Sequence, residues 1–599
     1  MLSCKFQRWL IAFAAIVILS APAFAGTSGE RCPRPAQGSL LQDAADLRSE
    51  NGVLKVDLTV RNSKQADGSI RYCYIDGQGN ESPTLRVRPG DQVIIHLKNE
   101  LIDLGVAKGS LHAAHETATL SADPCNSGRM SPIATNLHFH GLTIPSRCHQ
   151  DEVLKTSIQP TDGAFEYKFR IPADEPPGMY WYHPHIHGFA KGQLLGGASG
   201  ALIVEGMERA DKAVAGLPER VFVVRDQDLQ NPKAAPSGQS VVPAYLMDND
   251  GDIVNTGTGT GTPAKDLSIN FVPVPYPDYP PPSIEMKPRE KQLWRVLNAS
   301  AITYLNLSVL MDDQAQPVGL VALDGVPMNT NGGPADFVYA GTRLGVPPGS
   351  RVEFIVTGPP EGKTEMLVTR TVDTGPGGEN DPNRPLALIK PSAKAADPRF
   401  RLAADPQPLP PSKWKWLGDV APVRVRKLYF SEKLDDPNNP ASASEFYLTV
   451  EGDTAEMWAP GSKNPNIVVK QGSVEDWIIE NRTNELHDFH IHQLHFLWLE
   501  SNGGTVDEPY LRDTVNVDYH KGKLPDFPSV RLRMDFRDPN TVGTFVYHCH
   551  ILEHEDKGMM GTIEVLPADS SQAVSKNGIC TGQDGAGRDP CTNFQIEAK

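Results

Sequence analysis

Apolar and polar residues alternate on both sides of a Pro-Gly turn in the stretch Pro83-Thr-Leu-Arg-Val-Arg-Pro-Gly-Asp-Gln-Val-Ile-Ile-His-Leu-Lys-Asn99. Two later stretches, 282–298 and 465–481, have the same layout, and each also begins with proline and ends with asparagine. The first and second stretches are 199 residues apart at both ends, and the second and third are 183 residues apart at both ends. This shared register predicts three homologous units, because the spacing is too long for a solenoid repeat.

Other parts of the chain also show the two-residue period of β-strands. The alternating runs are Leu54, Val56, Leu58 and Val60; Phe165, Tyr167, Phe169 and Ile171; and Val352, Phe354 and Val356. Residues two apart on a strand share one face, so these runs predict strands with one buried side. With 52 glycines and 52 prolines to form turns, and no long helical pattern, the sequence predicts an all-β fold of β-sandwich domains.

We expect the domain limits to fall in turn-rich and polar segments. The predicted organisation is a first domain over 40–210, a second over 215–390, a linker over 391–420, a third over 421–568 and a polar tail over 569–599. The linker is rich in proline, alanine and lysine, which is a composition typical of a connecting segment.

The N-terminal 25 residues have the pattern of a secretory signal peptide. Lys5 and Arg8 precede an apolar run, 10–19, and Ala23-Phe-Ala25 has the form of a cleavage site. The run is shorter than the roughly 20 residues that span a membrane. We therefore expect export to the periplasm or the extracellular space, with no membrane association after cleavage.

The formal net charge of -16 restricts the partners of the protein. An acidic surface repels phosphate backbones, which argues against nucleic-acid binding. Metal ions and small organic molecules remain suitable partners, and we expect the protein to be a monomer.

Cysteine usage fits an exported protein with one free thiol. The eight cysteines are Cys4, Cys32, Cys73, Cys125, Cys148, Cys549, Cys580 and Cys591. Cys4 leaves with the signal peptide, so seven remain and one should be unpaired. Cys549, with a histidine on each side, is the candidate for the free thiol, and the other six can form three disulfides. Cys125–Cys148 and Cys580–Cys591 are the closest pairs, but sequence alone leaves the connectivity open.

The histidines are concentrated in four motifs, and none of the 17 lies between His187 and His487. The motifs are His138-Phe-His140, His183-Pro-His185-Ile-His187, His487-Asp-Phe-His490-Ile-His492 and His548-Cys549-His550-Ile-Leu-Glu-His554, the last followed by Met559. Each His-x-His pair directs two imidazoles to one side of a strand. Four such pairs offer more nitrogens than one metal ion can use, which predicts several metal ions at one place.

The Cys549 side chain must point away from its two neighbouring histidines. It can therefore bind one metal ion while His548 and His550 bind others behind it. His487 can serve the thiolate side, and His554 and Met559 follow closely enough to fold back to it. Two histidines, a thiolate and a weak methionine ligand are the donor set of a blue-copper electron-transfer site.

Two alternatives exist for these motifs. A structural zinc site uses four ligands, often several cysteines, and does not fit eight convergent histidines. On spacing alone, His185 and His187 form a rival pair to His183 and His185. We interpret His187 and His495, which follows the third motif, as packing groups or supporting neighbours of the ligands.

The four motifs together resemble those of the multicopper oxidases, the family of laccases, bilirubin oxidase and bacterial cuprous oxidases. Trp181-Tyr182-His183 matches the family pattern and favours His183 and His185 as the second pair. The resemblance covers nearly the whole mature chain, and it implies three cupredoxin-like Greek-key β-sandwich domains. It also implies a trinuclear copper cluster between the first and third domains, with no copper ligand in the second.

The resemblance implies a role for each residue of the motifs, with about four copper ions per chain. The implied ligands are His487, Cys549, His554 and Met559 for a type 1 copper; His138 and His490 for a type 2 copper; and His140, His183, His185, His492, His548 and His550 for a type 3 pair. Electrons would enter at His554 and pass through Cys549 to the cluster.

Carboxylates should deliver protons to dioxygen as it is reduced. Glu555 matches the acid that the family has beside the last histidine. In the first domain either Asp151 or Glu152 corresponds to the family acid, and we select Asp151.

The sequence thus predicts an exported, laccase-like oxidase that transfers electrons from a reducing substrate to dioxygen. Phenols and aromatic amines are the expected donors, and Cu(I), Fe(II) or Mn(II) are the alternatives. The 13 methionines are dispersed, which disfavours a dedicated cuprous oxidase, because such an enzyme should have a methionine-rich segment. A non-catalytic copper-binding protein is a remote alternative.

Overall fold

The fold is all-β, as the alternating runs predict. In the computed structural model, strands form six sheets, and the helices of the described residues are short. The helices are α1 (Ala190–Leu195), α2 (Met207–Ala210) and α3 (Leu552–Asp556), with 3-10 turns at Pro124–Asn126, Lys212–Val214, Leu417–Asp419 and Pro539–Thr541.

The structure describes residues 32–105, 123–126, 129–234, 262–328, 339–341, 344–461, 464–506, 510–522 and 527–571. The predicted signal peptide and the Cys580–Cys591 pair lie outside these residues.

The first pair of sheets is built from residues 46–204. Its strands are β1 (Asp46–Arg48), β2 (Val53–Lys64), β3 (Ile70–Asp76), β4 (Thr84–Val87), β5 (Gln92–Glu100), β6 (His138–His140), β7 (Phe165–Arg170), β8 (Gly178–His183) and β9 (Gly200–Val204). One sheet has the order β1-β4-β9-β8-β6 and the other the order β3-β2-β5-β7. Buried side chains of both sheets form one core, as the alternation along β2 and β7 predicts.

The second pair of sheets is built from residues 218–401. Its strands are β10 (Pro218–Gln227), β11 (Asp266–Ile269), β12 (Val272–Val274), β13 (Ser283–Met286), β14 (Lys291–Asn298), β15 (Leu305–Met311), β16 (Gln314–Gln316), β17 (Val318–Leu323), β18 (Val326–Pro327), β19 (Tyr339–Gly341), β20 (Leu344–Val346), β21 (Arg351–Thr357), β22 (Glu365–Thr369), β23 (Arg384–Pro391) and β24 (Phe400–Arg401). The main paths are β12-β11-β10-β14-β21-β17-β18 and β13-β23-β22-β15-β16. Most of its apolar side chains again share one core.

The third pair of sheets is built from residues 424–566. Its strands are β25 (Arg424–Leu434), β26 (Ala443–Val450), β27 (Ile467–Lys470), β28 (Val474–Asn481), β29 (His487–Ile491), β30 (Phe496–Ser501), β31 (Gly504–Thr505), β32 (Leu511–Arg512), β33 (Thr514–Val517), β34 (Ser529–Asp535), β35 (Gly543–Cys549) and β36 (Met560–Leu566). The main paths are β26-β25-β28-β34-β30-β31 and β27-β36-β35-β29-β33. Its core continues into the first pair through Met179 and Trp181, so these two pairs pack against each other.

Each repeated stretch supplies one strand to each sheet of its pair. The strands β4 and β5, β13 and β14, and β27 and β28 lie in opposite sheets in all three cases. The second strand of each stretch always has a parallel neighbour on one side and an antiparallel neighbour on the other. The turn between them therefore carries the chain from one sheet to the other, which explains why its layout recurs.

The asparagine that ends each stretch forms the same buried corner three times. Asn99, Asn298 and Asn481 each accept a hydrogen bond from the backbone N–H two residues later, and each donates from Nδ2 to two backbone carbonyls. The carbonyl partners belong to Ile133 and Ile158, to Thr303 and Val346, and to Glu485 and Val517, at 2.8–3.1 Å. One side chain thus satisfies three buried backbone groups where the chain leaves the strand.

Two disulfides join the first part of the chain. Cys125–Cys148 is one of the two pairs closest in sequence, and Cys32–Cys73 joins residues 41 apart. Cys549 is buried and is the free cysteine of the described residues, as expected. No helix in the described ranges is long and apolar enough to cross a membrane.

The Asn298 corner gives a prediction about stability. Replacing Asn298 by alanine leaves three buried backbone groups without their partner, so we expect a loss of roughly 2–4 kcal/mol in the free energy of unfolding. Thermal unfolding of Asn298→Ala by calorimetry measures this loss. The exposed Asn438 is the matched control, and Asn438→Ala should change stability by less than about 0.5 kcal/mol. Equal unfolding midpoints for the two variants would contradict the role of the corner.

Candidate metal centre

Eight histidines of the four motifs converge between the first and third pairs of sheets. They are His138, His140, His183, His185, His490, His492, His548 and His550, and we call them the histidine cage. Strand pairing sets their positions, because His138 lies opposite His183 in the β6–β8 ladder and His490 lies opposite His548 in the β29–β35 ladder. All eight side chains are buried.

The cage is assembled across the interface in close ring contacts. The rings of His138 and His492 stack at 3.7 Å between centroids, and those of His140 and His490 stack at 3.9 Å. In each stack one ring comes from the first pair of sheets and the other from the third. The Nε2 atom of His548 lies 3.4 Å from that of His185 and 3.3 Å from that of His492. Neither pair of sheets alone can therefore complete the cage.

One nitrogen of several cage rings is hydrogen-bonded outward, and the other is left buried with no hydrogen bond among the described residues. The outward bonds run from His138 Nδ1 to Asp151, from His140 Nε2 to Asp513, from His183 Nδ1 to the Pro184 carbonyl, and from His490 Nδ1 to the Asp513 carbonyl. The unsatisfied atoms are His138 Nε2, His140 Nδ1, His183 Nε2 and His490 Nε2. Buried nitrogens with free lone pairs, each fixed by an outer partner, fit metal ions.

The electrostatics of the cage favour neutral imidazoles. Burial lowers the pKa of the cage histidines, to about 3 for His183 and to about 4 for His548. The neighbouring imidazoles lower the pKa of His138 and His492 further. A neutral ring keeps a lone pair, so these side chains are in the form that binds a metal ion.

A second cluster lies on the opposite side of strand β35. Cys549 Sγ is 3.5 Å from His487 Nδ1 and 3.7 Å from His554 Nδ1, and these two nitrogens are 3.3 Å apart. Met559 is buried beside them, where its carbonyl accepts from Cys549 N–H. We call these four residues the thiolate site. Burial raises the pKa of the Cys549 thiol, so a thiolate here requires a cation next to it.

The short helix α3 returns the chain to Cys549. Strand β35 ends at Cys549, α3 carries His554, and β36 begins at Met560. Gly558 makes this return possible, because its φ is +100° and a Cβ there would lie 2.9 Å from Met457 Cβ. The tight return explains how residues five and ten positions after Cys549 reach the same place.

The structure distinguishes the two candidate acids of the first domain. Both Asp151 oxygens lie 2.9 Å from His138 Nδ1, and Gln493 Nε2 donates to Asp151 at 2.6 Å. Glu152 instead accepts from the backbone N–H groups of Lys155 and Thr156. Burial raises the pKa of Asp151 to about 7. Asp151 is thus the acid of the two that contacts the cage.

Glu555 lies against the opposite side of the cage. Its carboxylate is 3.2 Å from His548 Nδ1 and 3.5 Å from His185 Nε2. Both carboxylate oxygens are buried without a hydrogen bond among the described residues. Burial, with a smaller contribution from Asp556, raises the pKa of Glu555 well above its usual range. This raised pKa favours the protonated form of the side chain.

The comparisons with known proteins agree with this geometry. Two family models, both described as multicopper oxidase, match residues 115–209 and 433–569, which contain the entire cage and the thiolate site. The chain belongs to the multicopper oxidase family. This multicopper oxidase is an oxidoreductase that binds copper and uses dioxygen.

The relatives of this multicopper oxidase are distant but align over most of its length. The laccase of Bacillus subtilis (strain 168) is 21% identical over 81% of this chain and 88% of its own length. The iron transport multicopper oxidase FET3 of Gibberella zeae is 21% identical over 80% of this chain and 70% of its own. Among solved structures, a multicopper oxidase from Campylobacter jejuni, described as a metallo-oxidase, has a TM-score of 0.60. It is 23% identical and covers 89% of this chain and 96% of that chain, which shows a shared fold.

The two additional histidines of the motifs lie outside the cage. The His187 ring packs edge-on against Trp458 at 4.7 Å, and His183 and His185 point into the cage instead. His495 Nε2 lies 3.0 Å from the Asp324 carbonyl and 3.6 Å from Asp513. These positions agree with our interpretation of both as packing or supporting groups.

Several residues near the multicopper oxidase sites had no signal in the sequence. Asp513 contacts two cage histidines and receives two hydrogen bonds from the Arg351 guanidinium. Burial alone would raise the pKa of Asp513, but Arg351 outweighs it and holds the pKa at about 2. The spacing of these residues follows no motif, so only the folded chain brings them together.

Two glutamates lie behind the imidazoles of the thiolate site. Glu432 Oε1 is 3.2 Å from His487 Nε2, and Glu485 Oε1 is 3.4 Å from His554 Nε2. Burial and the charge of Glu432 raise the pKa of Glu485 well above its usual range. His554 itself is only 6% exposed, and the Phe446 ring stacks on its imidazole at 4.3 Å between centroids.

The thiolate site gives a prediction about colour. A Cys thiolate bound to Cu(II) makes a protein blue, and serine lacks the sulfur that produces this absorption. We expect Cys549→Ser to lose the visible absorption and the oxidase activity while keeping the wild-type circular dichroism. Met559→Leu is the matched control and should stay blue, because the axial methionine is a weak ligand that tunes the potential. A blue Cys549→Ser protein would show that another residue holds this copper.

Proposed function

We propose that this multicopper oxidase takes single electrons from a reducing substrate at the thiolate site and reduces dioxygen to water at the histidine cage. The observation that carries the proposal is the sequence His548-Cys549-His550 at the end of strand β35, with His550 the first residue after it. Its cysteine belongs to the thiolate site and its two histidines belong to the cage, so a few covalent bonds join the two sites. The proposed content is about four copper ions per chain.

The division of the ligands among copper types is the one that the resemblance to the multicopper oxidases implies, and the two clusters with their buried, unpaired nitrogens support it. The proposed ligands are His487, Cys549, His554 and Met559 for type 1 copper; His138 and His490 for type 2 copper; and His140, His183, His185, His492, His548 and His550 for the type 3 pair. Copper bound there would supply the one-electron and dioxygen chemistry. The protein fixes the rings through their outer hydrogen bonds and excludes bulk water by burying both sites.

Asp151 and Glu555 are the proposed proton-delivering residues. They contact the cage from two sides, at His138 and at His548. Burial raises the pKa of each, to about 7 for Asp151, and this favours the protonated form from which a proton can be donated. Reduction of dioxygen to water consumes protons, and a positioned acid can donate them in a site that bulk water does not fill.

The role of Glu555 gives a prediction about oxygen reduction. Gln cannot transfer a proton, and loss of a positioned acid slows a reaction by about 10²–10⁴-fold. We expect Glu555→Gln to be blue and to be bleached by substrate without oxygen at the wild-type rate. Its reoxidation by dioxygen should slow sharply, and more so as pH rises. Stopped-flow mixing of the bleached protein with oxygenated buffer measures the returning colour.

Glu553 provides the control for this experiment. It lies two residues earlier on α3, but its carboxylate pairs with Lys191 and Lys557. Glu553→Gln should reoxidise at the wild-type rate. If Glu555→Gln bleaches slowly but reoxidises normally, the residue acts on the substrate side and the proposal for it is wrong.

Phenols and aromatic amines are the proposed donors, and metal cations are the second candidate. The observation that favours cations is the pair Glu432 and Glu485, whose carboxyl groups lie behind the two imidazoles of the thiolate site. Carboxylate oxygens suit hard cations and attract positive charge. An iron transport oxidase and a metallo-oxidase are also among the similar proteins.

The glutamate pair gives a prediction about donor choice. Removing one carboxylate weakens a charge-assisted contact by roughly 1.5–3 kcal/mol, or about tenfold or more in KM. Burial alone would raise the pKa of Glu432, but its contacts with His487 hold that pKa below the usual range, so Glu432 is the charged member of the pair. If a cation is the natural donor, Glu432→Gln should raise KM for Fe(II) or Mn(II) at least tenfold and change KM for a neutral phenol far less. Steady-state oxygen uptake with each donor measures the difference. Glu451→Gln, at a carboxylate paired with Arg482, is the control. Equal shifts for both donors would argue against cation binding at Glu432.

The overall proposal is tested by oxygen consumption of the copper-loaded protein. A phenol, Cu(I), Fe(II) and Mn(II) are supplied separately, and metal analysis is done on the same sample. We expect about four copper ions and oxygen uptake with at least one donor. A loaded protein that consumes no oxygen with any of them would be a copper-binding protein without oxidase activity.

We also propose that the protein is exported and acts as a monomer in three domains. The two disulfides support a location outside the cytosol, where such bonds persist. The three pairs of sheets, at 46–204, 218–401 and 424–566, support three domains, and β24 pairs with β10 from inside the expected linker 391–420. Gel filtration of the mature protein and N-terminal sequencing of the exported form test these points.

A further inference from the structure

The second pair of sheets contributes a buried charge to the edge of the histidine cage. Arg351 is the first residue of β21 and is fully buried. Its guanidinium donates to both carboxylate oxygens of Asp513, at 2.8 and 2.6 Å. It also donates to the backbone carbonyls of Met179, Asp324 and Gly349, at 2.9–3.2 Å. The guanidinium thus donates to two carboxylate oxygens and three carbonyl oxygens, and these hydrogen bonds fix its orientation.

Asp513 connects the fixed guanidinium to two cage histidines and orients their rings. Its carboxylate lies 3.1 Å from His140 Nε2, and its backbone carbonyl accepts from His490 Nδ1 at 2.8 Å. A carboxylate that receives two guanidinium hydrogens is an acceptor, so His140 must carry its proton on Nε2. The same reasoning puts the proton of His490 on Nδ1. His140 Nδ1 and His490 Nε2 are then the free nitrogens, and both are buried without a partner among the described residues.

Two glycines beside Arg351 leave no room for a side chain at their positions. A Cβ at Gly141, the residue after His140, would lie 2.5 Å from Arg351 Nη2 and 2.7 Å from Asp513 Oδ2. A Cβ at Gly349, two residues before Arg351, would lie 2.8 Å from the His550 ring. All three pairs of sheets therefore meet at one point, through Gly141, Arg351 and Asp513.

We propose that Arg351 is a positioning residue for the copper cage, acting through Asp513 on His140 and His490. The second pair of sheets is then part of the metal centre although none of its described residues lies among the cage ligands. This inference rests on the proposed copper-binding role of the cage. It goes further by assigning a role to a residue that touches no proposed ligand through its guanidinium.

The chemistry of the side chain explains why arginine is required. The planar guanidinium can bind both carboxylate oxygens while its remaining hydrogens reach backbone carbonyls, whereas lysine offers one compact charge. Lysine at this position should keep the charge but release the orientation of Asp513. Loss of an outer partner of a metal-binding histidine typically weakens metal binding about 10–100-fold.

The experiment compares Arg351→Lys with Arg426→Lys. Arg426 is equally buried, and it makes a two-point ion pair with Glu475 in the third pair of sheets, away from the cage histidines. Each variant keeps the charge but loses the two-point geometry of one such ion pair. We expect both to unfold at lower temperature, but only Arg351→Lys should change the electron paramagnetic resonance signal of cage Cu(II). In chelator competition its cage copper should be released at about 10–100-fold lower chelator concentration. The blue absorption of the thiolate site should be unchanged in both.

Neutral double variants keep the test valid if a single change prevents folding. Breaking a buried pair on one side leaves an uncompensated charge, whereas replacing both partners by neutral groups of similar size is far better tolerated. Arg351→Gln with Asp513→Asn should fold and show the same altered signal and weaker cage copper. Arg426→Gln with Glu475→Gln should show neither change.

The outcomes separate the inference from the proposal on which it rests. Wild-type resonance parameters and wild-type copper retention in Arg351→Lys, or in the neutral double variant if the single variant does not fold, would overturn the role of Arg351. A wild-type protein that holds no copper beyond the thiolate site would instead overturn the cage itself. Altered cage copper in the Arg351 variants, with an unaltered Arg426 series, supports the inference.

Discussion

The two-residue period of strand β35 is the constraint on which the metal centre depends. Consecutive side chains of a strand point to opposite sides, so Cys549 must face away from His548 and His550. One short segment therefore belongs to two sites at once and sets the separation between them. A shift of one residue in the pairing of β35 would exchange the two sides and leave the thiol in the cage. The register of the β29–β35 ladder, in which His490 lies opposite His548, prevents this.

Burial keeps the cage histidines in the neutral form that can bind metal ions. Burial of eight neighbouring imidazoles disfavours a positive charge on any of them, so the neutral rings keep a lone pair, and the outer hydrogen bonds decide which nitrogen carries it. Asp151 and Asp513 supply such bonds from two directions, one from the first pair of sheets and one from the third. The cage is thus prepared by the protein's own hydrogen bonds, in agreement with the rigid, pre-organised sites that redox metals require.

The sequence predicted the repeated architecture and the convergence of the histidines, because strand period and His-x-His spacing are local patterns. Spacing alone left open whether His183 or His187 joins His185, the family resemblance favoured His183, and the fold places His187 against Trp458. It also missed Arg351, Glu432 and Glu485, which reach the sites from other strands or loops. Such contacts depend on how the pairs of sheets pack against each other, and this packing produces no periodic pattern in the amino-acid sequence. Asp151 and Glu152 are adjacent, and only the turn that follows β6 decides which of them faces His138.

The division of the cage between the first and third pairs of sheets has a consequence for biosynthesis. The histidines of the first half are complete by residue 185, and those of the second half are not complete until residue 550. Domains fold in order as the chain emerges, so the first half must wait with four unpaired ligands while more than 300 further residues are made. Metal loading of the full cage is therefore an event of the finished polypeptide, and any early capture of copper by the first half alone would be incomplete.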